Sequence, residues 1–92
     1  MDILNKTPKK NKDIAYRIID REAIVLSLND EEKVNIFNET ATRIWELIDG
    51  KNKVKDIAQK LTKEYQIDYL EAESEVKRLL EEMCFKKLIT LN

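Results

Sequence analysis

The run Asn38-Glu39-Thr40-Ala41-Thr42-Arg43-Ile44-Trp45-Glu46-Leu47-Ile48-Asp49-Gly50 joins the end of a strand to a capped helix stopped by the only glycine of the chain. Few junctions constrain a fold more, because apolar periodicity changes here from two residues to the helical 3.6. Before the junction, period-two sets recur at Ile14, Tyr16 and Ile18, then Ile24, Leu26 and Leu28, then Val34 and Ile36. They predict three short strands. Asp20-Arg21-Glu22 and Asn29-Asp30-Glu31-Glu32 carry turn-favouring residues at lengths that suit antiparallel hairpins, so a three-stranded meander is the simplest arrangement.

After the junction, Ala41, Ile44, Trp45 and Ile48 fall on one helical stripe, with Asn38 suited to the N-cap and Gly50 to the left-handed residue past the end. A second stripe, Val54, Ile57, Ala58, Leu61 and Tyr65, predicts a helix starting near Asn52. A third helix opens with Asp68 as cap and Glu71 three residues on, a capping box, and carries Ala72, Val76, Leu79, Leu80 and Met83 to about Lys86. Leu88, Ile89 and Leu91 then form a short extended tail. The expected fold is α+β, a three-stranded antiparallel sheet followed by three α-helices, with one domain over residues 14–92.

A chain of 92 residues has room for one core. Its 17 basic and 18 acidic side chains nearly cancel, leaving no global field toward nucleic acid or an anionic membrane. Residues 1–13, with Lys6, Lys9, Lys10, Lys12 and the lone Pro8, contain no apolar stretch of signal-peptide or membrane-span length and are expected to be a flexible basic arm. Cys84 has no disulfide partner within the chain, which fits a cytoplasmic protein.

Catalytic chemistry leaves no trace. The absence of histidine removes the usual general base and the commonest metal ligand, and a single glycine cannot build a phosphate loop. Neither catalytic residues, metal nor cofactor is expected. Cys84, beside Glu81 and Glu82, lacks the electropositive setting that activates a thiol and reads as a packing or groove-lining residue. The carboxylates at Glu71, Glu75, Glu81 and Glu82, interspersed with Lys77 and Arg78, read as a solvated helix face, and Trp45 reads as core. What remains is a binding module.

Leu28-Asn29, the stretch Val34 to Phe37 and the run from Asn38 to Gly50 together resemble the family of pyrroloquinoline quinone biosynthesis protein D. Val54-Lys55-Asp56-Ile57-Ala58-Gln59-Lys60-Leu61 with Tyr65 is similar to that family's second helix, and Glu75-Val76, Leu79-Leu80, Met83 and Leu88-Ile89 to its third. Lys87 stands where the family has a glycine. The resemblance implies a winged helix-turn-helix-like precursor-peptide recognition element. Such a domain binds the leader segment of a ribosomal precursor peptide as an extra strand beside its third strand. It presents the peptide to a modifying enzyme, a radical SAM enzyme or, in lasso-peptide systems, a leader peptidase. On this chain Lys33, Val34, Asn35, Ile36 and Phe37 would supply the edge. Glu73, Lys77, Leu80, Glu81 and Cys84 share one side of the third helix, with Leu80 and Cys84 expected at the floor of a groove and the charged residues at its rim.

Two other readings use the same elements. A winged-helix DNA-binding regulator would have to approach phosphates with an acidic third helix, and only Lys51, Lys53, Lys55, Lys60 and Lys63 around helix two form a basic face. A structural adaptor would bind a folded protein through that same helix.

Overall fold

The computed structural model describes residues 3–28 and 34–92. In chain order the elements are β1 (Pro8–Lys10), β2 (Ile14–Ile19), β3 (Glu22–Ser27), β4 (Val34–Phe37), α1 (Glu39–Leu47), α2 (Val54–Tyr65), α3 (Tyr69–Phe85) and β5 (Ile89–Leu91). Strands β2, β3 and β4 form the expected antiparallel meander in that order, ahead of three helices. The β2–β3 connection is two residues, Asp20 and Arg21, at φ 50° and 65°. Both lie in the left-handed region that a type I′ hairpin turn needs to match strand twist. The second expected turn, Asn29 to Glu32, lies outside the described residues.

Register decides which side of the sheet is buried. Residues opposite one another in an antiparallel pair point to the same face. Ile18, Ala23 and Phe37 therefore share a face with Tyr16, Val25 and Asn35, while Arg17, Ile24 and Ile36 share the other with Ala15, Leu26 and Val34. Ala23 and Val25 are completely buried, so the first face is the inner one. Of the period-two sets, only Ile14, Tyr16 and Ile18 look inward. Ile24, Val34 and Ile36 lie on the outer face, 37%, 56% and 67% exposed. The reason is size. Helix α1 packs on β3 and β4 and brings the fully buried Trp45, whose ring meets Tyr16 and Phe37 edge-on at 5.4 and 5.7 Å. Small side chains from β3 on that face leave room for the indole.

Residues 3–13, expected as a flexible arm, are built into the fold. Strand β1 pairs antiparallel with β5, Pro8 opposite Leu91 and Lys10 opposite Ile89, and Ile3 and Pro8 are buried. The pairing meets a need at the start of α2. A helix leaves its first N–H groups without partners, and the N-cap here is Lys53, whose side chain has no acceptor. The carbonyls of Lys6 and Leu4 fill the gap, accepting from Val54 and Lys55 N–H at 2.9 and 3.1 Å, and the Asp56 carboxylate accepts from Lys53 N–H at 2.8 Å. The helix therefore begins at Val54, two residues past the expected start at Asn52. Asn52 closes a turn on Asp49 instead: the Asp49 carboxylate accepts from Lys51 and Asn52 N–H at 2.9 and 2.8 Å. The bond from Asn52, and then that from Lys51, holds the Asp49 carboxyl below the ordinary carboxylate range.

Other helix ends follow local chemistry. Asn38 Oδ1 accepts from Ala41 N–H at 2.9 Å and Asp68 accepts from Leu70 N–H at 3.1 Å, so both expected caps are in place. Gly50 sits at φ 79° after α1. At the end of α3, Leu88 N–H donates to Met83 C=O and Lys87 N–H to Cys84 C=O, both at 2.9 Å, with Lys87 at φ 62°. This is a Schellman motif, and the buried Leu88 and Met83 are its apolar pair. Lys87 holds the left-handed position that glycine adopts without steric penalty, and Asn11 steadies it by donating its side-chain amide to the Lys87 carbonyl.

Two stability measurements test this account. Lys87→Gly should raise the free energy of unfolding in urea by about 0.5–1.5 kcal/mol through relief of left-handed strain; a loss would show that the lysine is not strained there. Deleting residues 1–10 strips the α2 caps and the β5 partner and should cost about 2–4 kcal/mol. An unchanged melting temperature would contradict the capping role.

Candidate peptide-binding edge and helix face

Strand β4 closes one side of the sheet, so among the described residues one row of its backbone groups has no neighbouring strand. The hairpin fixes which row. A two-residue loop makes Ile19 and Glu22 a hydrogen-bonded pair, which turns the N–H and C=O of Glu22, Ile24 and Leu26 toward β2 and those of Ala23 and Val25 toward β4. Their partners Phe37 and Asn35 face back to β3. Val34 and Ile36 therefore aim N–H and C=O out of the open edge.

Thr42 agrees with this assignment. Its hydroxyl accepts from Ala23 N–H at 2.8 Å and donates to Phe37 C=O at 3.2 Å, so a side chain of α1 relays the last rung between β3 and β4. It is the single buried polar side chain among the described residues. Sequence reasoning passed over it, although a hydroxyl next to Ala41 on an apolar stripe was the available signal. Behind the sheet, Arg43 on α1 donates to both carboxylate oxygens of Glu64 on α2, at 2.7 and 2.9 Å, and this hydrogen bonding holds the Glu64 carboxyl below its ordinary range.

The residues expected on α3 divide by depth. Glu73 and Lys77 are half-buried and form an ion pair at 3.2 Å one turn apart. Cys84 is half-buried against the core, and Glu81 is exposed. Leu80 has no accessible surface, so it backs this side of the helix from within and does not form the open floor expected of it. Leu70 and Phe85, not anticipated, stand exposed at the two ends of α3. On the edge strand Asn35 is half-buried and Phe37 buried on the inner face, while Lys33 lies outside the described residues. Helix α3 packs mainly on α2 and β5.

Among the described residues no group of three or more His, Cys, Asp or Glu is placed to hold a metal ion. No described helix is long and apolar enough to cross a membrane.

The model of a protein family described as coenzyme PQQ synthesis protein D matches residues 22–89, from the first residue of β3 to the first of β5. The chain belongs to the PqqD family. Solved structures share its winged helix-turn-helix-like architecture. TbiB1 in complex with the TbiA(beta) leader peptide is 22% identical, with a TM-score of 0.81 over 88% of this chain and 93% of that one. Lasso peptide synthetase B1, complexed with its leader peptide, is 20% identical with a TM-score of 0.81 over 91% and 98%. The PqqD part of Methylobacterium extorquens PqqCD, a stand-alone recognition element for ribosomally synthesised and modified peptides, is 22% identical with a TM-score of 0.73 over 90% and 87%. No curated protein matches the chain.

The rung carried by Thr42 is directly testable. Thr42→Val keeps the shape but strands Ala23 N–H and Phe37 C=O, and should cost about 1–3 kcal/mol in denaturant unfolding. A variant as stable as the parent would mean that the hydroxyl does not secure β4.

Proposed function

We propose that this PqqD-family protein is a non-catalytic precursor-peptide recognition element. It captures the leader of a ribosomally made peptide by strand addition to β4 and presents that peptide to a modifying enzyme, a radical SAM enzyme or a leader peptidase. The observation that carries the reading is the open edge of β4, where Val34 and Ile36 aim their backbone groups outward. Four such groups, at about 0.5–1.5 kcal/mol net each, contribute roughly 2–6 kcal/mol with little sequence preference. Inward-pointing leader side chains then select against Asn35, Phe37 and the α3 flank of Glu73, Lys77 and Cys84, with Leu80 beneath and Glu81 at the rim. The leader complexes of TbiB1 and of lasso peptide synthetase B1, built on the same fold, support this assignment. Bond-making chemistry belongs to the partner enzyme. Ribosomal synthesis of the precursor places the encounter in the cytoplasm.

The test is isothermal titration of the protein with the synthetic leader of the precursor encoded beside its gene, with scrambled leader and duplex DNA as controls. Ile36→Asp sets a charge on the receiving strand and should weaken leader binding at least ~10-fold, or about 1.4 kcal/mol. Gln59→Glu, exposed on α2 away from the sheet edge, should leave affinity unchanged. Circular dichroism checks that both variants fold. Equal leader affinity in a folded Ile36→Asp variant would rule out pairing at β4, and saturable binding to DNA alone would favour a winged-helix regulator.

A further inference from the structure

Val34 and Ile36 are used twice at this edge. Their backbone groups point out of the sheet toward an incoming strand, while their side chains lie on the outer face, away from the helices. A strand added at β4 therefore sets alternate side chains on that outer face, each beside Val34 or Ile36. Directly opposed residues bring their Cβ atoms within about 4.5–5.5 Å whatever the sequence.

The outer face is built to reward particular neighbours. Its two complete cross-strand rows read Arg17, Ile24, Ile36 and Ala15, Leu26, Val34 from β2 to β4. Aliphatic side chains occupy the β4 end of both rows, and the one charge in them lies at the β2 end. Within the first row Ile36 is 67% exposed against 37% at its neighbour Ile24. Aliphatic side chains left side by side in water are a common mark of an interaction surface. The outward face of α3 answers differently, with Arg78 paired to Glu75 and Glu82.

Resting on the leader-binding reading above, we propose that the outer sheet face is a second specificity surface for the leader, distinct from the α3 side. The leader it selects carries aliphatic, β-branched or aromatic side chains at two positions spaced i and i+2, which lie beside Ile36 and Val34 and lengthen the two rows to four residues. Recognition is thus two-sided: inward residues meet the α3 flank, outward residues meet the aliphatic rows.

The experiment is an aspartate scan of the same synthetic leader, titrated against the wild-type protein and against Val34→Thr/Ile36→Thr, which keeps β-branching and so preserves strand propensity. Circular dichroism confirms the fold of the double variant, and sedimentation measures the mass of the free protein. Two leader positions spaced i and i+2 should each lose about tenfold or more in affinity with the wild type, and that loss should shrink about fivefold or more in the double variant as the cross-strand pairs disappear. Inward positions should lose affinity equally in both proteins. Leader binding in which no position couples to Val34 or Ile36 would overturn the second surface while leaving strand capture intact. Absence of leader binding would remove both. A free dimer dispersed by the double variant, with leader affinity unmoved, would assign the face to a second copy of the chain and overturn the proposal.

Discussion

One indole ties the sheet to the helices. Trp45, on α1 and fully buried, touches β2 through Tyr16 and β4 through Phe37, and the Lys10 ammonium of β1 lies 4.9 Å from its ring centroid. Its N–H meets no acceptor among the described residues, so packing and the cation–π contact hold it. The size of the ring sets the inner complement of β3 as Ala23 and Val25, and with it the outward direction of Ile24, Val34 and Ile36. Core packing thus decides which side of the sheet carries the aliphatic rows.

Features set by neighbours in sequence were legible. Asn38 and Asp68 cap because a short side-chain oxygen reaches an N–H two or three residues on, and Gly50 turns left-handed where the helix has to stop. Features set by distant partners were not. Lys53 carries no acceptor, so the start of α2 depends on carbonyls about fifty residues earlier, and β1 finds its partner at the far end of the chain. A lysine-rich segment with a proline looked unstructured because nothing local reveals that pairing. Period two gave the spacing of each strand but not its buried side, since aliphatic residues stand on both faces of β3.

The candidate site shows the same division. An edge strand was foreseeable because the last strand of a meander has one neighbour, and the spacing of Glu73, Lys77 and Cys84 does place them along one half-buried side of α3. Leu80 belongs to the apolar stripe as well as to that side, and the core absorbs it. Thr42 was passed over because its role is completed only across the rung between Ala23 and Phe37. That rung reconciles two demands on β4: the strand has to stay attached while its far side stays open. Anchoring through a side chain of α1 on the β3 side fixes the end of the strand without occupying a single outward group.

The β1–β5 ribbon has a further consequence. Thr7 and Asn92 exchange two backbone hydrogen bonds, at 2.8 and 3.1 Å, so the two ends of the fold meet at one pole. Leu4 and Lys6 carry the chain past the start of α2, so the first described residues and Asn92 lie in one neighbourhood of the fold. An enzyme tethered before or after this domain would therefore start from nearly the same point, and the length of the linker would matter more than the order of the two modules.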